Sequence, residues 1–243
     1  MAHSLSNAPP NVSGSLEDWL KGEIARYADW FRERPLMVDA GAFHGDFARP
    51  FLAMPGSPFR EAVLFEPNPD SFKVLQQKVA GDRKFRLVPK ACSDQPGHAQ
   101  LYCQGELYTG SLLPYDGERP GPRNEYQVDI TTLDDFLFAE NLASRIGLIK
   151  IDTQGNDLRV LKGGVRTLRA GRPWLVVEMN TTPRFVNQGK AVDTMRFLEE
   201  ENYFLAAQFN DFYTSTGWLA WYDACFVPRE LFSMDPLTNF PRK

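Results

Sequence analysis

An aspartate and two glycines are spaced closely in Leu36-Met-Val-Asp-Ala-Gly-Ala-Phe-His-Gly45-Asp, where a short apolar strand runs directly into a turn and then a helix. Gly41 and Gly45 permit a tight turn and a close approach of backbone to a ligand. The ligand then sits against the amides at the start of the following helix, with Gly41, Ala42, Phe43 and Gly45 as cofactor-binding candidates. Asp39, at the strand end, is placed to orient a charged amino-acid group of that ligand. Strand, glycine turn and helix also occur together in dinucleotide binders and in folds that hold no nucleotide.

A second segment, Val63-Leu-Phe-Glu-Pro-Asn-Pro69, ends its strand on an acid about 20 residues beyond the glycine turn. A carboxylate there accepts hydrogen bonds from both hydroxyls of an adenosine ribose, with Pro67 beside it. NAD and S-adenosylmethionine both carry that ribose. The pyrophosphate of NAD favours a GxGxxG turn, whereas this turn is GxxxG, which tips the balance toward the sulfonium cofactor.

The third segment, Leu148-Ile-Lys-Ile-Asp-Thr-Gln-Gly-Asn-Asp-Leu-Arg-Val-Leu-Lys-Gly163, again delivers polar side chains from a strand to a helix start. Ligands in open α/β sheets bind outside the carboxyl ends of the strands, so Asp152 belongs beside the cofactor and Gln154 near the substrate. The competing reading of Asp152 is a helix cap. Lys150, one pleat earlier, is expected to pack or pair within the fold. A proton-accepting group in this site is Asp152 or His44, because His98 falls in an irregular excursion and His3 in the tail. Ser111, Glu178 and Asn180 are further substrate-binding candidates. For Ser111 the alternative is a plain turn residue, and for Glu178 and Asn180 a partly solvated loop after a strand at 175–177. The aromatics Phe209, Phe212, Tyr213, Trp218, Trp221 and Tyr222 form either an apolar wall for substrate or part of the core.

The elements that must hold these residues alternate. Strands are expected at 36–39, 62–65, 85–88, 148–151, 175–177, 203–207 and 219–226, and helices at 46–54, 70–80, 133–140, 156–169 and 191–200. That rhythm is the mark of an α/β chain with a mostly parallel seven-stranded sheet and helices on both faces. Residues 1–15 read as a disordered N-terminal tail, 16–34 as an amphipathic helix opening at Ser15, and about 97–132 as an excursion with strands at 98–103 and 126–131 flanking a turn-rich stretch. Residues 16–243 form one domain on this reading.

Composition narrows the function classes. Of 243 residues, 43% are hydrophobic and 24% charged, the balance of a globular chain. A net charge of −4 with scattered basic residues disfavours nucleic acid as a partner. Cys92, Cys103 and Cys225 are odd in number and form no CxxC pair, which points away from a disulfide framework and a zinc site and toward a cytoplasmic protein. No apolar run approaches the roughly 20 residues of a membrane helix, so no membrane partner is expected. No compact cluster suggests a metal ligand set, and nothing in the sequence sets an oligomeric state.

Together the three segments resemble the FkbM methyltransferase family, with its VDVGAN-x-G turn, FEPNP strand end and KIDVEG-x-E-x-x-VLKG element in the same order. Ala91-Cys-Ser-Asp94 with Gly97, and Thr132-Leu-Asp-Asp135, extend the resemblance over about residues 36–180. It implies a Rossmann-like class I methyltransferase fold and adds Ser93 and Asp94 to the cofactor-binding candidates. It further implies methyl transfer from S-adenosylmethionine to a hydroxyl of a sugar, glycan or polyketide-type small metabolite. Phe43 stands where the family has Asn, Gln154 where it has Glu, and Asp157 where it has a second Glu. Two other functions remain open at this point: a nicotinamide-dependent oxidoreductase on a similar fold, and a non-catalytic S-adenosylmethionine-binding protein.

Overall fold

The structure is a computed structural model that describes residues 14–104, 110–117 and 123–234. The expected tail over 1–13, and residues 118–122 within the turn-rich stretch, lie outside the described residues. Ser15 opens the first helix as read from sequence, its hydroxyl accepting the amide of Asp18 at 3.1 Å.

In chain order, α1 (Leu16–Arg26) and α2 (Ala28–Arg32) lead into β1 (Leu36–Ala40), α3 (Ala48–Ala53), β2 (Glu61–Phe65), α4 (Pro69–Lys78) and β3 (Phe85–Val88). A second group follows: β4 (Ala91–Cys92), β5 (Gly97–Gln104), β6 (Gly110–Ser111) and β7 (Arg123–Thr131). The chain then continues through α5 (Leu133–Ala139), β8 (Ile146–Ile151), α6 (Asp157–Lys162), α7 (Val165–Gly171), β9 (Trp174–Asn180) and α8 (Ala191–Glu200). It closes with β10 (Tyr203–Tyr213), β11 (Leu219–Pro228) and α9 (Arg229–Met234).

The main sheet has seven strands in the order β10-β11-β9-β8-β1-β2-β3, with β11 antiparallel to both neighbours and the other pairings parallel. Alternation along each central strand sends Leu36, Val38 and Ala40 to one face and Met37 to the other. Leu133, Val160, Leu168 and Leu198, from α5 to α8, cover the first face. The second is covered by Leu20, Phe51 and Leu75, from α1, α3 and α4. The chain is thus a three-layer α/β structure, a mostly parallel sheet with helices on both faces, as the alternating pattern predicts.

Strand order reverses at β1, which runs outward to β2 and β3 on one side and meets β8 and β9 on the other. A crevice forms at the carboxyl ends of strands flanking such a reversal, and there the glycine turn after β1 meets the loop after β8. The Asp152 amide donates to Ala40 O at 3.0 Å, and a Cβ built on Gly41 would stand 1.9 Å from Asp152 O. Only glycine fits that contact.

Four expectations change. The helix over 16–34 is two helices, because Tyr27 leaves helical geometry at φ −106°, ψ 35°. The helix over 156–169 is broken at Gly163-Gly164, where a Cβ on Gly163 would meet Ser93 O at 2.1 Å. The strand at 175–177 runs on to Asn180, so Glu178 and Asn180 are buried strand residues and not part of a solvated loop. The two strands expected in the excursion are present as β5 and β7, and they pair with β4 and β6 into a second, four-stranded sheet that was not expected, with Gly97 opposite Ile130.

Candidate active site

A cavity opens at the crevice, beside the carboxyl ends of β1, β2 and β8. Of the residues singled out from sequence, Gly41, Phe43, Glu66, Pro67, Asp152 and Gln154 line it. Cys92, Leu101 and Leu112 add an apolar wall from the second sheet and its flanks.

On the β1 and β2 side the backbone organises the site. Glu66 accepts the Asn68 amide at 2.8 Å on Oε1 and the Phe43 amide at 2.7 Å on Oε2. Burial nonetheless raises its pKa to about 7, with the two amides opposing the rise. The amides of the turn itself are engaged within the protein. Gly41 and Ala42 donate to Phe65 O at 3.0 and 2.9 Å, Phe43 to Glu66, and Gly45 to Ala42 O at 2.7 Å. The turn must bend tightly around the end of β2, and its amides become the hinge pins of that bend. Phe43 adopts φ 50°, a left-handed conformation that asparagine tolerates and phenylalanine resists.

Asp39 is fully buried behind the turn, and neither of its carboxylate oxygens has a hydrogen-bond partner. Burial raises its pKa to about 6, against the pull of Lys150 and helped by Asp152. An orphaned carboxylate of this kind suits a cationic ligand group nearby.

On the β8 and β9 side, side chains organise the site. Lys150 Nζ lies 3.1 Å from Asp152 Oδ2, so Lys150 pairs within the fold as expected. Burial favours its neutral form, but Asp152 and Asp39 outweigh this and raise its pKa. Gln154, at φ 54°, donates from Nε2 to Asp152 Oδ1 at 2.9 Å and to Glu178 Oε1 at 3.5 Å. Burial works against the Asp152 charge, yet Lys150 and Gln154 bring the carboxyl below its usual range. Asp152 does not cap the next helix. The N-cap of that helix, Asn156, makes no side-chain cap hydrogen bond, and Asp157 holds the loop ahead of it, accepting the amides of Thr153 at 2.7 Å and Gly155 at 3.1 Å.

Glu178 accepts Asn180 Nδ2 at 3.0 Å, and burial among Asp152 and Asp157 raises its pKa well above the ordinary value. Ser111 is a buried strand residue whose hydroxyl donates to Gln154 O at 2.7 Å, tying the second sheet to this loop. Ser93 and Asp94 sit behind Cys92, where the Ser93 hydroxyl donates to Asp94 at 3.1 Å; neither lines the cavity. His44 also lies outside the lining. Its ring stacks on Phe43 at 3.7 Å, and slight burial with the Lys78 charge lowers its pKa.

Sequence reading misses Arg184. Its guanidinium reaches Gln154 Oε1 at 3.3 Å and Asn180 Oδ1 at 3.4 Å and lies 3.8 Å from Glu178, over the ring of Trp221 at 4.3 Å. Nothing local marks it, because it follows Thr-Thr-Pro in a connection, and its contacts with Gln154 and Trp221 come from the loop after β8 and from β11. Of the aromatic segment, Phe209 and Tyr222 are core, while Phe212, Tyr213 and Trp218 are exposed. Among the described residues, no group of three or more His, Cys, Asp or Glu is arranged to hold a metal, and no helix is long and apolar enough to cross a membrane.

The sheet order, the crevice at its reversal and the acid ending β2 define a class I methyltransferase domain. Residues 39–205 match the family described as the methyltransferase FkbM domain, and the chain belongs to that family. Methyltransferase 1 of Beauveria bassiana (strain ARSEF 2860) is 27% identical over 153 residues, 55% of this chain and 59% of its own length, so the match spans about three fifths of that relative. A solved methyltransferase FkbM of Methylobacillus flagellatus KT superposes with a TM-score of 0.48 at 14% identity, over 79% of this chain and 44% of that one. Magnesium protoporphyrin IX methyltransferase of Synechocystis PCC 6803, solved with bound SAM, gives 0.45 at 13%, over 87% and 79%.

Proposed function

We propose that the chain binds S-adenosylmethionine in this cavity and methylates a hydroxyl of a sugar, glycan or polyketide-type metabolite. The observation that carries the reading is Glu66, a carboxylate fixed by two backbone amides at the cavity wall with lone pairs left for ribose hydroxyls. A nicotinamide dinucleotide fits less well, since a pyrophosphate needs free turn amides and four of those at 41–45 are engaged within the protein.

When bound, the sulfonium supplies an already activated methyl group. The protein then has to orient an acceptor and take its proton. Asp152 is suited to taking the proton, because it lines the cavity and because Lys150 and Gln154 hold both its orientation and its charge. A positioned base contributes about 10² to 10⁴-fold. Asp152 retains that capacity with Gln154 beside it, which favours a working enzyme over a non-catalytic binder. His44 lies on the far side of Phe43 and is the weaker candidate for the base.

Isothermal titration of S-adenosylmethionine into Glu66→Ala tests the reading. Loss of a charge-assisted hydrogen bond lowers affinity by about tenfold or more while the folded circular dichroism spectrum is retained. Unchanged affinity removes Glu66 from the site and the reading with it.

A further inference from the structure

Charge at the crevice is unbalanced. Asp39 on β1, Asp152 and Asp157 after β8, Glu178 on β9 and Asp223 opposite it on β11 gather at and behind the cavity wall. Two basic side chains, Lys150 and Arg184, face them among the described residues. One amide, Gln154 Nε2, serves Asp152 and Glu178 together. Asp39, fully buried, has no hydrogen-bond donor on either oxygen. So many carboxyls cannot all stay ionised in a low-dielectric setting, and some retain protons at neutral pH.

The methyl donor and its demethylated product share the adenosine, the amino group and the carboxylate. They differ by one methyl and one positive charge on sulfur. Any difference between their bindings therefore isolates the response of the site to that charge.

We propose that the Asp39, Asp152 and Glu178 cluster makes the cavity select the cationic sulfonium donor over its neutral thioether product, with donor binding expelling a proton that product binding leaves in place. The inference rests on the cofactor reading given above. The groups facing Glu178 are Asp152 and Asp157 from the loop after β8, Arg184 from the connection after β9 and, across the sheet, Asp223. Lys150 and Asp152 face Asp39. A cation brought within several ångströms lowers a carboxyl pKa by about 1 to 3. Burial raises the carboxyls of Asp39 and Asp157 to about 6 and that of Glu178 well above its ordinary value, so these groups hold the proton that an approaching cation displaces. Because the unliganded site holds more protons than the donor-bound site, donor affinity rises with pH, while product affinity follows a flatter course.

Calorimetric titrations of S-adenosylmethionine and S-adenosylhomocysteine at pH 7, each in phosphate and in Tris, count the protons released. The donor should release at least about half a proton more than the product, and the ratio of their affinities should climb about threefold per pH unit between about pH 6 and 7.5. Glu178→Gln, which keeps the shape and one of the two accepting oxygens but removes the titrating group, should reduce that excess by at least half. If both ligands bind and release equal numbers of protons, the charge selection is wrong and the cofactor reading stands. If neither binds, the cofactor reading falls first.

Discussion

The two halves of the cavity are built differently. Around Glu66 the polar groups are satisfied by backbone amides from residues close in sequence or on the adjoining turn. Around Asp152 they are satisfied by side chains brought from β8, β9 and the connection after it. A backbone-built half tolerates little change in shape, because its contacts are fixed by the course of the chain. A half built from side chains tolerates shape changes better and depends on charge, so the two should fail in different ways.

The largest expected effect breaks the first half. Gly41→Ala adds a Cβ that would lie 1.9 Å from Asp152 O, at a backbone φ of +87°. The loss of unfolding free energy should exceed about 3 kcal/mol, the sum of steric displacement and left-handed strain. Gly56→Ala is the control: its φ is +75°, but nothing lies within 4 Å of the added carbon. It should lose about 1 kcal/mol in the same urea titration. Equal losses in the two variants would mean that the close approach of the β1 turn to the β8 loop is unimportant.

A smaller effect probes the second half. Arg184→Met keeps an apolar chain over Trp221 but removes the guanidinium from Gln154, Asn180 and Glu178. Stability should fall by about 2 kcal/mol, less than for an unrelieved buried charge because Glu178 can take up a proton. An unchanged urea midpoint would show that the cluster does not need its second cation.

The same contrast explains what is legible in the sequence. Glycine turn, acid and strand are contiguous in the first half, so Asp39, Gly41 and Glu66 can be read off where they lie. What the amides of Gly41, Ala42 and Phe43 do is not legible, since their acceptors, Phe65 O and Glu66, lie over 20 residues away. In the second half, Asp152 and Gln154 follow an apolar strand and stand out. Arg184 does not, because its contact with Gln154 spans 30 residues of chain. Strand β9 reads three residues short because Glu178 and Asn180 interrupt the apolar run, although burial and pairing with β11 carry them as strand. The two strands of the excursion are visible from their alternation. Their pairing into a second sheet depends on contacts between residues as far apart as Gly97 and Ile130.

Thermal unfolding with and without ligand tests the central claim most directly. A ligand that binds only the folded chain at about 100 times its dissociation constant adds about 2.7 kcal/mol, a rise of roughly 5 to 11 °C for a chain of this size. S-adenosylmethionine and S-adenosylhomocysteine should each produce that rise, and NADH at the same concentration should produce none. A rise with NADH and none with either sulfur compound would contradict the assignment of this cavity to a methyl donor.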